Sequence, residues 1–194
     1  MKRTILFTFI AGLFAVSSVH AADWSIDKAH SSVGFKVKHL VISTTSGVFK
    51  DFDGTISLDP SDLTTMDVTF TVKVASINTE NEKRDGHLTS GDFFDIENHP
   101  LMTFKSTSAK VTGEGEAELM GDLTIRGVTK PITFEVEGFN QPVDFMGTTK
   151  IGGSARATID RQEFGITWNR AMDTGGVVVG NDVKIELELE LDKK

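Results

Sequence analysis

Apolar residues recur at every second position along much of this chain, a period that excludes helix there and requires strands with one buried and one wet face. Val33, Phe35 and Val37 alternate with Gly34, Lys36 and Lys38, and Val68, Phe70, Val72 and Val74 alternate with Thr69, Thr71 and Lys73. Ile132, Phe134 and Val136 oppose Thr133, Glu135 and Glu137, while Ile185, Leu187, Leu189 and Leu191 oppose Glu186, Glu188 and Glu190. Weaker alternation runs through residues 55–58, 101–106, 117–125 and 150–159, which brings the expectation to about eight strands. Turn signals separate them at Asp53-Gly54, Asp59-Pro60, Gly113-Glu114-Gly115 and Gly180-Asn181-Asp182. Helix is expected in one place, where Thr79-Glu80-Asn81-Glu82 reads as a capping box opening a short helix toward Leu88. A second helical turn is read at Pro60. Strands in series with so little helix favour an all-β fold, an eight-stranded antiparallel up-and-down β-barrel whose closure removes exposed edges. A two-sheet sandwich is the alternative.

The amino terminus has a different logic. Lys2 and Arg3 precede an apolar run from Ile5 to Val16, and Val19-His20-Ala21 places small residues at the −3 and −1 positions of a cleavage site. The run is too short to span about 30 Å of hydrocarbon, so residues 1–21 are read as a cleaved signal peptide and 22–194 as one exported domain, periplasmic or beyond. Removing Lys2 and Arg3 takes the net charge from −8 to −10. So acidic a chain has no electrostatic footprint for nucleic acid or for anionic membrane surfaces. Cysteine is absent, which excludes disulfides and zinc-thiolate sites.

An eight-stranded barrel is at the size where side chains fill the interior or leave room for one small ligand. The apolar face of residues 150–159 reads Ile151, Gly153, Ala155, Ala157, Ile159, and that of 117–125 reads Ala117, Leu119, Gly121, Leu123, Ile125. These small residues either leave two inner faces partly hollow or fit the taper of a filled barrel against Phe35, Phe70, Phe104 and Phe134. If the barrel is hollow, alternation nominates Phe35, Val37, Phe70, Val72, Phe104, Phe134, Ala155, Ala157, Phe164, Trp168 and Leu189 as lining an apolar cavity. Polar chemistry is sparse. His30, His39, His87 and His99 show no metal-ligand spacing, so no metal or other cofactor is expected. Asp85, His87 and Ser90 lack a nucleophile-elbow sequence, and no catalytic residue is assigned.

Several segments taken together resemble a known family. Asp27-Lys28-Ala29-His30-Ser31, Gly47-Val48-Phe49-Lys50-Asp51-Phe52-Asp53-Gly54, Arg84-Asp85-Gly86-His87-Leu88 with Ser90-Gly91-Asp92-Phe93-Phe94-Asp95, and Gly121 to Pro131 are similar, in that order, to the YceI family of bacterial lipocalin-like proteins. Arg161, Phe164-Gly165-Ile166 and Val183 to Leu191 extend the likeness over essentially all of the exported domain. The resemblance implies a lipocalin-like barrel whose apolar tunnel binds a polyisoprenoid or similar long-chain amphiphile, a quinone-like lipid included. It also implies association with lipid transport and acid or alkaline stress. A hydrophobic ligand is then the expected partner, without catalysis, and its head group would meet Arg84, His87 or Trp168 at a barrel mouth. Two other readings stay open at this point. One is a hydrolase or isomerase on the same substrates using His87 with Asp85 or Asp92; the other is a filled barrel acting as an interaction module. Oligomeric state is open too, a homodimer included.

Overall fold

The computed structural model of the protein describes residues 21–171 and 176–194. The signal-peptide reading therefore falls, but for Ala21, outside the described residues. Alternation becomes twelve strands: β1 (Ala22–Ile26), β2 (Ser32–His39), β3 (Ser43–Phe49), β4 (Phe52–Asp59), β5 (Asp62–Lys73), β6 (Ile77–Asn78), β7 (Leu101–Gly113), β8 (Glu116–Ile125), β9 (Val128–Gly138), β10 (Val143–Phe145), β11 (Thr148–Asp160) and β12 (Val179–Lys193). A helix, α1 (Glu82–Thr89), stands between β6 and β7.

Pairing reduces these strands to eight staves. β1 pairs with β4 and β2 with β3; β4 pairs with β5 and β3 with β6. The first three staves are thus β1–β2, β3–β4 and β5–β6, each broken once. The order continues β5–β7–β8–β9–β11–β12, all antiparallel, and β12 closes the ring on β1 and β2. The result is a closed eight-stranded antiparallel barrel, with β10 as a short flap on β11. The breaks in the second and third staves lie side by side: Lys50 N donates to Ser76 O at 3.2 Å, Lys73 N donates to Asp51 O at 2.9 Å, and the Lys73 ammonium meets the Asp51 carboxylate at 2.7 Å.

The inner faces are the alternating apolar residues. On β5, Leu63, Met66, Val68, Phe70 and Val72 are buried while Thr64, Asp67, Thr69 and Lys73 face water. Between β8 and β9 the two-residue turn has positive φ at both positions, Arg126 at 49° and Gly127 at 73°, the twist a tight hairpin needs.

Two local expectations are corrected. The cap of α1 is Asn81, whose side-chain oxygen accepts from Arg84 N at 3.0 Å. Thr79, the expected cap, lies outside the helix because its hydroxyl donates to Asp85 and accepts from Arg84 Nε at 2.7 Å. Pro60 starts no helical turn. It is part of the tight turn from β4 to β5, where Asp59 Oδ1 accepts from Ser61 N at 2.8 Å and Asp59 pairs with Asp62.

Candidate functional site: an apolar cavity in the barrel

The barrel is not filled. A cavity with about 200 Å³ of open space runs inside it, an order of magnitude beyond the ~10–15 Å³ that one water needs on the same kind of measure. Phe35 and Val37 from β2, Phe70 and Val72 from β5, Phe104, Phe134, Ala155 and Leu189 line it, as does Phe164 from the turn after β11. Ala157 and Trp168 do not line it: Ala157 packs half-buried against the core, and Trp168 lies against His87 and Phe93, with ring centroids 5.0 and 5.2 Å away.

Two of the glycines on the faces expected to be hollow are occupied, while Ala155 does line the cavity. Gly121 lies under the Phe104 ring and Gly153 under the Phe139 ring, each where an added Cβ would come within 2.5 Å of ring carbons. Much of the half-exposed lining is on β2 and the first part of β12, at Phe35, Val37, Val179, Val183, Ile185 and Leu187, with Ala155 on β11 beside it.

The two ends of the barrel differ. At the end holding the β4–β5 turn, Trp24, Leu58 and Leu63 are buried, and Trp24 Nε1 donates to Leu58 O at 3.2 Å. At the other end α1 and the segments after it and after β11 form a cap, in which Phe93, Phe164 and Ile166 are buried and Leu88 and Phe94 half-buried. Arg126 fastens the cap by donating to Gly165 O at 2.5 Å and Gly91 O at 2.7 Å. Beside the cap the wall is interrupted. β6 reaches only Val48 and Phe49 of β3, so among the described residues Ser43 to Gly47 have no strand partner on that side. The interruption borders Phe35, Phe49 and Phe94, whose rings are in contact at centroid distances of 5.7 and 6.1 Å.

Arg84 and His87, the head-group candidates, are outside the cavity lining. Arg84 folds back on its own segment, with Nε on the Thr79 hydroxyl and Nη2 on Thr79 O, both at 2.7 Å. His87 Nε2 pairs with Asp92 Oδ2 at 2.9 Å on the cap's outer surface. The charged group that does line the cavity is one that alternation did not nominate. Arg161 is 4% exposed and donates to the carbonyl oxygens of Ile166 (2.6 Å), Trp168 (2.9 Å), Gly180 (2.9 Å) and Val179 (3.4 Å). Burial pulls its guanidinium below its ordinary value. Among the described lining side chains, Arg161 and Thr103 alone carry nitrogen or oxygen atoms.

On the barrel's outer face, Lys150 Nζ meets Asp27 at 3.0 Å, Glu190 at 2.8 Å and Asp192 at 2.7 Å, and His30 Nδ1 meets Asp27 at 2.9 Å. The His30 and Lys150 contacts hold the Asp27 carboxyl far below its usual range, and the three carboxylates hold the Lys150 ammonium above its own. Asp27, His30 and Glu190 bring three ligand atoms within 4.8 Å of one another, but the Lys150 ammonium already occupies both carboxylates, and no metal centre is assigned.

Known proteins share this architecture. The sequence model of the YceI-like domain matches residues 24–191. A UPF0312 protein of Staphylococcus aureus (strain USA300) is 42% identical over 172 residues, covering 87% of this chain and 96% of that one. The crystal structure of a YCEI protein of Campylobacter jejuni superposes with a TM-score of 0.70 at 36% identity, over 87% of this chain and 96% of that one. A domain from Saccharophagus degradans described as polyisoprenoid binding and implicated in plant cell wall breakdown shares the fold, with a TM-score of 0.66 at 17% identity over 90% of this chain and 100% of that one.

Proposed function

The chain belongs to the YceI-like family, and from that premise we propose that it is an exported carrier that shelters a polyisoprenoid or similar long-chain lipid in the barrel cavity. The observation that carries this reading is the cavity itself, which is bounded almost wholly by hydrocarbon side chains. At about 0.8 kcal/mol per buried methylene, a prenyl chain gains useful affinity from such a lining even after ordering costs are subtracted. The polyisoprenoid-binding description of the S. degradans domain supports the ligand class. The amino-terminal pattern at residues 2–21 supports export, with the carrier acting in the periplasm or outside the cell, where a stress role for sequestered lipid would be exercised.

Binding rather than catalysis is the function proposed. The one histidine–carboxylate pair of the cap, His87 with Asp92, is on the outer surface rather than against the lining.

Native mass spectrometry of protein purified from the periplasm tests the reading, followed by solvent extraction of any adduct. A hydrophobic adduct of prenyl or acyl mass on a chain that begins at Ala22 is the expected result. Protein that is repeatedly bare, and that takes up neither a prenylquinone nor a prenyl phosphate, would overturn the carrier reading. Material beginning upstream of Ser17 would overturn the assigned cleavage site.

A further inference from the structure

The hairpin joining β2 to β3 carries aliphatic side chains where tight hairpins carry polar ones. Leu40, Val41 and Ile42 connect the paired residues His39 and Ser43. Leu40 and Val41 take φ values of 53° and 65°, a region that glycine and asparagine enter freely and a β-branched side chain enters only at a cost. Val41 and Ile42 are 69% and 84% exposed, and Val177, drawn alongside by the bond from Leu40 N to Val178 O at 2.8 Å, is 42% exposed. An Asn-Gly tip would avoid both the strained backbone and the exposed hydrocarbon, so folding does not account for these residues.

Charge supplies a second, independent observation. Residues 32–50 contain Lys36, Lys38 and Lys50 and no acidic residue, in a chain whose net charge is −8. The local distribution thus departs from the whole-chain balance. Lys36 is engaged with Glu186 at 2.7 Å. Lys38, next to the tip, is exposed and forms no ion pair among the described residues. An aliphatic tip with one unpaired lysine beside it matches the hydrocarbon boundary and anionic head groups of a bilayer, whereas the acidic remainder of the surface is repelled by it.

Position supplies the third. The tip is at the capped end of the barrel, on the stave whose Phe35 and Val37 line the cavity beside the interrupted wall. A surface that seats the tip is therefore brought up to the interrupted wall.

We propose that the β2–β3 hairpin docks this protein on an anionic lipid bilayer, with Val41 and Ile42 entering the interface and Lys38 against lipid phosphates. The purpose of docking rests on the carrier reading, since a lipid would then pass between bilayer and cavity with little exposure to water. The docking itself is tested apart from it.

Flotation of the full exported chain with vesicles of equal parts phosphatidylethanolamine and phosphatidylglycerol reads the binding, with phosphatidylcholine vesicles as the uncharged comparison. The expected result is binding to the anionic vesicles that weakens as salt is raised. Val41→Ser with Ile42→Ser should weaken it by about tenfold or more, and Lys38→Glu several-fold on anionic vesicles only. Both side chains of the double variant are exposed, so its melting temperature should match that of the parent chain. Quenching of tryptophan fluorescence by a short-chain prenylquinone then separates the two ideas. A double variant that still takes up the quinone but no longer floats supports docking as a distinct function. Quinone uptake by a parent chain that never floats, or a double variant that floats as well as the parent, overturns docking and leaves the carrier reading standing. Flotation without any quinone uptake leaves docking standing and removes its stated purpose.

Discussion

A methyl group added at Gly121 would come within 2.5 Å of both the Lys105 carbonyl oxygen and the Phe104 ring. Backbone cannot yield cheaply, so Gly121→Ala is expected to destabilise the barrel by about 1–3 kcal/mol, read as a lowered denaturation midpoint with unchanged slope. The same position shows why sequence alone misplaced the open space. Glycine on an inner face records missing volume at one position, but the ring that fills it comes from the neighbouring strand, and cross-strand register is not written in either strand by itself. His30 belongs to this scale as well. Its hydrogen bond to Asp27, followed by the fields of Asp27 and Glu190, raises its pKa above the ordinary 6.5. A group whose folded value is raised contributes stability that is complete below the unfolded pKa and is lost as pH rises through the folded one. His30→Gln should therefore lower the melting temperature at pH 5 and lose that effect by pH 9, and a proton NMR titration of the ring should show a pKa above 6.5. Equal differences at both pH values would reject the coupling.

At the scale of elements, Arg161 links the turn after β11 to the start of β12 through four backbone carbonyls. Lysine offers a compact ammonium in place of a planar fork and cannot reach acceptors on both sides at once. Arg161→Lys is expected to cost roughly 2–3 kcal/mol and to speed amide exchange at Ile166 and Val179 more than in β5; uniform exchange would mean that the cap is not held locally. Family likeness marked this arginine but alternation gave it no role, because a charged residue ending an alternating run reads as the point where a strand meets water. The strands themselves were legible, since a single buried face imposes the period on β2, β5, β9 and β12. Their breaks were not: whether Lys50-Asp51 interrupts a stave depends on Ser76 and Lys73 across the ladder. The cap of α1 was misread by two residues for a similar reason, Thr79 being drawn away by Arg84 and Asp85 while Asn81 took its place. The apolar lining was largely legible, and the interruption of the wall was not, because it arises where β6 ends against β3.

Across the whole molecule, the question is whether the cavity can be filled without harming the barrel. Ala155 lines the cavity between Val136 and Leu187. Ala155→Phe is expected to abolish uptake of a prenylquinone while changing stability by less than about 1 kcal/mol, whereas in a packed interior the added ring would cost about 1–3 kcal/mol. Measuring the melting temperature beside fluorescence quenching tells the two apart. β12 has a different consequence at this scale. It pairs with β1, β2 and β11 together, so the ring cannot close until its fifteen residues are in place. Until then the earlier staves form an open sheet with two unsatisfied edges, and the contacts that end this state join β1 and β2 to β12. Such long-range closure is slow, and unpaired edges recruit other chains in the interval. A chain cut short before Glu186 would remain in that open form, destined for chaperones or aggregates. β12 thus acts as the clasp without which both open edges stay exposed.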